Sequence, residues 1–187
     1  GIYAKTLHYP YPPPSSSCIG SQCLIQTDNG IKELRNINVG DKLLSLNTKT
    51  KEISYETIYY IRNHGDLPII HYKIFLDNDV VIMSPKHLLI MEDNSYKTAY
   101  NIKIGDKVKN MANKYTIVKD IQYIYDIPLT PIVLSGTVVL PNMSVISCWS
   151  GDTKNADLMD NILNIMSHYT KKYNPLKVSR IFDKAYN

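Results

Sequence analysis

One heptapeptide occurs twice in this chain. Asn36-Ile-Asn-Val-Gly-Asp-Lys42 returns as Asn101-Ile-Lys-Ile-Gly-Asp-Lys107, identical at five of seven positions. An apolar residue follows each copy (Leu43, Val108), and Leu34 or Ala99 precedes it at the same distance. Gly-Asp suits a tight turn, because glycine accepts positive φ and aspartate bonds its own backbone. The apolar spacing agrees as well as the turn residues, which points to duplication. Two similar β-subdomains related by a pseudo-two-fold axis are therefore expected.

Strand signals dominate from Cys23 to about Cys148. Residues 68–76 and 79–83 bracket an Asp77-Asn turn and predict a hairpin. Residues 114–125 alternate apolar and polar over much of their length, as a half-buried strand does. Two further short strands flank Pro141-Asn142. Beyond Trp149 the period changes. Leu158, Met159, Ile162, Leu163, Ile165, Met166 and Tyr169 fall on one helical face, with Asp152 or Thr153 as cap and Asn174-Pro175 ending the run. A helix docked on the β-domain is expected, the other reading being a face for lipid or a partner. The chain thus divides into an upstream segment with a Pro/Ser linker (1–17), an all-β domain (18–150) and a helical extension (151–187). A hydrophobic content of 44% over 187 residues is enough for one such core with an appendage.

Composition excludes several partners. The net charge is +4, and Lys and Arg are scattered among acids with no basic stripe, so no nucleic-acid partner is expected. No apolar run approaches the ~20 residues of a membrane span, so no transmembrane segment is expected. Three cysteines make no disulfide scaffold. His64, His71 and His87 have no metal-ligand spacing with them, and no metal or other cofactor is expected. Asn142-Met-Ser144 has the form of a glycosylation triplet and leaves the compartment open.

Chemistry points to Cys18. Before it runs Tyr9-Pro-Tyr-Pro-Pro-Pro-Ser-Ser-Ser17, an extended tether, and the β-rich region starts directly after it. A thiol at that seam can attack the peptide bond before it, against the alternative of a small core hydrophobe. Cys23, on the first strand, has only a packing role. Ser84-Pro-Lys-His87 lies in a kink between two apolar strands, where burial lowers an imidazole's pKa and hydrogen bonding selects its tautomer. Ser147-Cys148 closes the last apolar strand.

In this order, Cys18, a Gly-Asp turn, Ser-x-x-His, a second Gly-Asp turn and a strand ending in Ser-Cys resemble the Hint superfamily. That superfamily comprises inteins, bacterial intein-like domains and the autoprocessing domain of hedgehog proteins. Cys18-Ile-Gly-Ser-Gln-Cys-Leu-Ile25 resembles the first block, with Cys18 as nucleophile. Met83-Ser-Pro-Lys-His-Leu-Leu89 resembles the Thr-x-x-His block, with Ser84 for the usual Thr. Pro131-Ile-Val-Leu-Ser-Gly-Thr-Val-Val139 through Ser147-Cys148-Trp149 is more similar to the hedgehog form of the last block than to the intein form. The resemblance spans about residues 18–149 and implies a horseshoe of two β-subdomains.

It also implies a reaction: Cys18 attacks the Ser17–Cys18 bond, and an N-to-S acyl shift leaves a thioester that a second nucleophile resolves. His87 would protonate the departing nitrogen, Ser84 would hold the amide, and Cys148 resembles the hedgehog cysteine near the site. A Cys18–Cys148 disulfide would make cleavage redox-dependent. Inteins end in His-Asn, whereas here Ser147-Cys148 stands at that strand end, so cleavage is expected over splicing. In hedgehog proteins an Asp activates cholesterol, and alignment puts Asn63 or His64 at that point. Asn is no general base at neutral pH, whereas His64 is one; the other reading of both is a solvated turn. Water, a thiol, an amine, an alcohol or a sterol all stand as acceptor, and the substrate is the chain's own N-terminal polypeptide. The alternatives are a Hint-like domain that binds or spaces without cleaving, an intein that splices, and a Cys-His hydrolase acting in trans.

Overall fold

Both copies of the heptapeptide fold into the same turn. In the first, Gly40 N–H donates to Ile58 O (2.9 Å), Ile58 N–H donates to Asp41 O (2.8 Å), and the Asp41 carboxylate accepts from Asn38 N–H (2.8 Å). In the second, Gly105 N–H donates to Val118 O (2.8 Å), Val118 N–H to Asp106 O (3.0 Å), and Asp106 accepts from Lys103 N–H (2.8 Å). Gly40 and Gly105 have φ of 96° and 94°, a region that side-chain-bearing residues avoid. The short 3-10 turns ahead of them, Leu34–Asn36 and Ala99–Asn101, each sink their first residue fully into the core.

The computed structural model describes residues 18–63, 65–150 and 153–186; Ser17 with the rest of the tether, His64, Asp152 and Asn187 lie outside the described residues. Strands of the first half are β1 (Ile19–Gly20), β2 (Leu24–Thr27), β3 (Gly30–Glu33), β4 (Lys42–Leu46), β5 (Ile53–Thr57), β6 (Tyr60–Asn63), β7 (Ile69–Phe75) and β8 (Val80–Met83). The second half supplies β9 (His87–Ile90), β10 (Tyr96–Thr98), β11 (Lys107–Lys109), β12 (Tyr115–Ile117), β13 (Asp120–Asp126), β14 (Pro128–Ile132), β15 (Thr137–Val139) and β16 (Val145–Ser150).

The duplication is visible in the largest sheet, ordered β13-β7-β8-β1-β14-β6. That order is two-fold symmetric about the seam between β8 and β1, which exchanges β7 with β14 and β13 with β6. At the seam the two strands meet through Ile19 and Met83, both fully buried. The remaining sheets, β3-β2-β4-β5, β10-β9-β16-β15 and β11-β12, enclose the same core, which joins Ile19, Ile74, Val81 and Met83 to Ile25, Leu34, Leu89 and Val108. Burying each such aliphatic side chain is worth ~1.5–3 kcal/mol, so the seam is held by apolar packing from both halves.

The expected hairpin forms as β7 and β8. Residues 114–125 do not make one strand: Val118 N–H and Lys119 N–H bond to Asp106 and Phe75, and this breaks the run into β12 and β13. The triplet at Asn142 is a structural turn, with its side-chain amide donating to Asn78 O (2.7 Å) and Ser144 fully buried.

Helix α1 (Thr153–Thr170) packs on β16, and a second helix, α2 (Pro175–Tyr186), packs on β6. Asn174-Pro175 therefore starts a helix as well as ending one. The Asn174 side chain accepts from Lys177 N–H (3.0 Å), and Pro175 sits where no amide donor is needed. Ile162 and Met166 join Val178 and Phe182 over Tyr60 and Ile132. Ile165 departs from the expected apolar face: it is 47% exposed, because the buried arc is centred on Ile162 and Met166. Among the described residues no helix is long and apolar enough to cross a membrane.

Candidate functional site

Cys18 and Ser84 lie one residue beyond the Ile19–Met83 pair at the seam, and they bond to each other twice. Cys18 N–H donates to Ser84 Oγ (2.8 Å), and Ser84 N–H donates to Cys18 O (2.9 Å). Both residues are fully buried. The nitrogen of the bond between residues 17 and 18 is thus held by a side chain 66 residues away in sequence. Ser84 opens a tight turn closed by His87 N–H donating to Ser84 O (3.1 Å). Pro85 suits the position after Ser84, since its fixed φ matches a turn there.

His87 begins β9, is fully buried, and has Nε2 at 2.6 Å from Ser147 O. A carbonyl only accepts, so Nε2 carries the proton, and Nδ1 is the nitrogen that can take or give another. The Ser147 carbonyl is available because β16 shifts register between Ile146 and Ser150. The Ser147 hydroxyl stabilises that bulge, donating to Leu88 O (3.0 Å) and accepting from Trp149 N–H (3.0 Å). Cys148 is buried there, and burial pushes its thiol up to about 12. No disulfide joins any two of Cys18, Cys23 and Cys148.

The central sheet brings further residues into line with Cys18. One residue beyond the Tyr72–Met83 and Ile19–Leu129 pairs, the same register sets His71 beside Ser84 and Thr130 beside Cys18. Thr130 itself pairs with Arg62. Directly opposed residues of antiparallel strands share a face. His71, Ser84, Cys18, Thr130 and Arg62 therefore form one row. His71 is fully buried with Nδ1 at 3.0 Å from Ile69 O, while Nε2 has no partner among the described residues. Burial holds its pKa below the usual imidazole value, opposed by the Ile69 carbonyl and by Asp126.

Asp126 anchors the start of the domain. Its carboxylate accepts from Ser21 Oγ (2.5 Å), Gln22 N–H (3.0 Å) and Ile127 N–H (2.7 Å). Gly20 lies against it, and a Cβ there would overlap both Asp126 Oδ2 and Ile82 Cγ2.

Of the residues expected at the site, Cys18, Ser84, His87 and Cys148 lie on adjoining elements around the seam and β16. Asn63 does not enter the row of Cys18. It pairs with Leu129, one residue out of step, is exposed, and closes a turn by accepting from Gly65 N–H (2.9 Å). The solvated-turn reading is the one its geometry matches. His71, Asp126, Thr130 and Arg62 were not singled out by sequence; period-two alternation around Arg62 was the available signal, but its partner strand was not. Among the described residues there is no group of three His, Cys, Asp or Glu side chains placed to hold a metal.

Solved structures with the same fold are inteins and an intein-like domain. A gp41-1 intein shares 21% identity, with 71% of this chain and 99% of that one covered and a TM-score of 0.56. A bacterial intein-like domain from Clostridium thermocellum shares 18%, covering 72% and 99%, with a TM-score of 0.59. A DnaB intein from Synechocystis shares 10%, covering 71% and 99%, with a TM-score of 0.60. No protein-family model matches the sequence, and no curated protein matches it. The chain has the Hint fold, and at these identities the likeness speaks to the fold alone. It lends no support to a hedgehog-type domain over a splicing intein.

Proposed function

We propose that this chain cuts its own backbone between Ser17 and Cys18. The observation that carries the reading is the hydrogen bond from Cys18 N–H to Ser84 Oγ, which grips the amide nitrogen to be expelled. Cys18 Sγ gives its proton to His87 Nδ1 and attacks the Ser17 carbonyl carbon, His87 passes that proton to the Cys18 nitrogen, and the C–N bond breaks as the new C–S bond remains. A thioester replaces the amide. Attack within one chain removes the entropy of bringing reactants together, and good alignment is worth ~7–11 kcal/mol of barrier. The Ser147 carbonyl fixes the ring of His87 so that Nδ1 is the working nitrogen. A second nucleophile then releases the N-terminal segment, with Cys148 as a buried neighbour.

Splicing is the second reading, favoured by the shared fold with inteins. Ser147-Cys148 at the final strand end supports cleavage instead. Intact-mass analysis of purified chain with and without dithiothreitol or hydroxylamine tests the first step. Release of the segment ending at Ser17, lost in Cys18→Ala and His87→Ala, is the expected result. No release under any condition overturns the reading in favour of a non-cleaving domain. Fusion of reporters to both ends separates the outcomes, since only splicing joins them.

A further inference from the structure

The row through Cys18 ends in a charged side chain. Arg62, on β6, pairs with Thr130 on β14, and Thr130 lies beside Cys18. Strands are ~4.8 Å apart, so Arg62 and Cys18 are ~10 Å apart at the backbone on one face, a span an arginine side chain covers. Arg62 is half-buried, and among the described residues its guanidinium has no hydrogen bond, ion pair or ring contact. The carboxylates of Asp126, on the opposite edge strand β13, and of Glu56, on β5 of another sheet, are engaged elsewhere. Asp126 is taken by Ser21, Gln22 and Ile127, and Glu56 is taken by Ser135 N–H and Oγ. A partly desolvated cation without a counter-ion is costly, and an arriving anion relieves that cost.

We propose that Arg62 receives the negative charge of the acceptor, so that the thioester at Cys18 is resolved by a small thiol that itself carries an anionic group such as a carboxylate, sulfonate or phosphate. The inference rests on the autoprocessing reading and adds the acceptor's class to it. The acceptor thiolate attacks the Ser17 carbonyl carbon, a new C–S bond forms, and the bond to Cys18 Sγ breaks. Cys18 leaves as thiolate and takes up the proton that the acceptor lost. No oxidant or reductant is needed. Arg62 draws the anion toward Cys18 from the β14 side, opposite the Ser84 side. A neutral thiol gains nothing from it, and a cationic thiol is repelled.

Three thiols of matched length and different charge test this: 2-mercaptoethanesulfonate, 2-mercaptoethanol and cysteamine. Release of the upstream segment from the full chain is followed by mass at equal thiolate concentration, normalised to each thiol's reaction with a linear peptide thioester. The wild type is expected to favour the anionic thiol over the cationic one by about tenfold, the size of effect one charge has at short range in a partly screened site. Arg62→Gln is expected to bring the ratio near one, and Arg62→Glu to invert it. High salt should shrink the wild-type preference, which keeps the test decisive if Arg62→Glu does not fold. The same charge order in wild type and Arg62→Gln, or a wild-type ratio near one at low salt, overturns this inference while leaving autoprocessing intact. Release by no thiol overturns both.

Discussion

Two turns of this molecule have one backbone and different chemistry. In residues 20–23, Cys23 N–H donates to Gly20 O (3.0 Å), and Arg35 N–H donates to Ser21 O (2.9 Å). In residues 84–87, His87 N–H donates to Ser84 O (3.1 Å), and Tyr100 N–H donates to Pro85 O (2.8 Å). Each turn leads into the first strand of its subdomain and sits ahead of its own copy of the Gly-Asp turn. Gly20 thus corresponds to Ser84, and Cys23 to His87. At the first position, Asp126 and Ile82 leave room for no side chain, whereas its counterpart carries the hydroxyl that grips Cys18. At the second, the first copy has a thiol pushed up to about 12 by burial, while its counterpart has an imidazole hydrogen-bonded to Ser147. Duplication repeated the hydrogen-bonding frame, and the site arose where the copies diverged. Cys23 is a core group on this comparison, and His87 is the one to which the proposed reaction gives a proton-transfer role.

The comparison can be broken most sharply at Cys18 and His87. Cys18→Ala is expected to abolish release of the upstream segment, and His87→Ala to slow it by about 10²–10⁴-fold, the range for a lost general acid. Both are read by mass after hydroxylamine, and cleavage by His87→Ala at the wild-type rate would remove the distinction between the two turns. Gly20→Ser makes the first turn copy the second. It should cost ~1–3 kcal/mol in urea denaturation through overlap with Ile82 and Asp126. Unchanged stability would mean that Gly20 is not there for space. Ser84→Ala should slow the acyl shift about tenfold, with Ser84→Thr restoring it, since the hydroxyl and not the turn is what differs from Gly20.

Smaller effects concern stability and pH. His71 has a folded pKa below its unfolded value, because burial penalises the imidazolium. From about pH 6.5 downward the unfolded chain binds a proton that the folded chain does not. Stability is therefore complete above that pH and falls as pH drops toward the folded value, by at most about 1.4 kcal/mol per pH unit. Urea melts at pH 7.5 and 5.5 should show the loss in wild type and a flatter dependence in His71→Gln. The least effect is expected of Cys23→Ala, ~1 kcal/mol in stability with cleavage rate unchanged, and a slowed rate would give the first turn a chemical role after all.

Much of this was legible because it is local. The Gly-Asp turns need glycine at positive φ and an aspartate that bonds its own backbone, and both requirements show in seven residues. The Ser84-Pro-Lys-His87 turn and the Cys18 seam were readable for the same reason. The second helix was hidden because Asn174-Pro175 reads equally as a stop and as a start. Residues 114–125 alternate as one strand would, and only hydrogen bonds to Asp106 and Phe75 decide where they break.

What the sequence by itself determined is the duplicated frame and the order of the candidate site residues along it. Tertiary structure alone decided which residues stand beside Cys18. A strand's side chains alternate faces with a period of two, so a shift of one residue in pairing exchanges every neighbour. Alignment pointed to Asn63, whereas the pairing of β6 with β14 turns Asn63 toward the Ile19 row and sets Arg62 in the row of Cys18. Register is fixed by the buried apolar pairs on the other side of the sheet, residues far apart in the chain, and no local pattern encodes it.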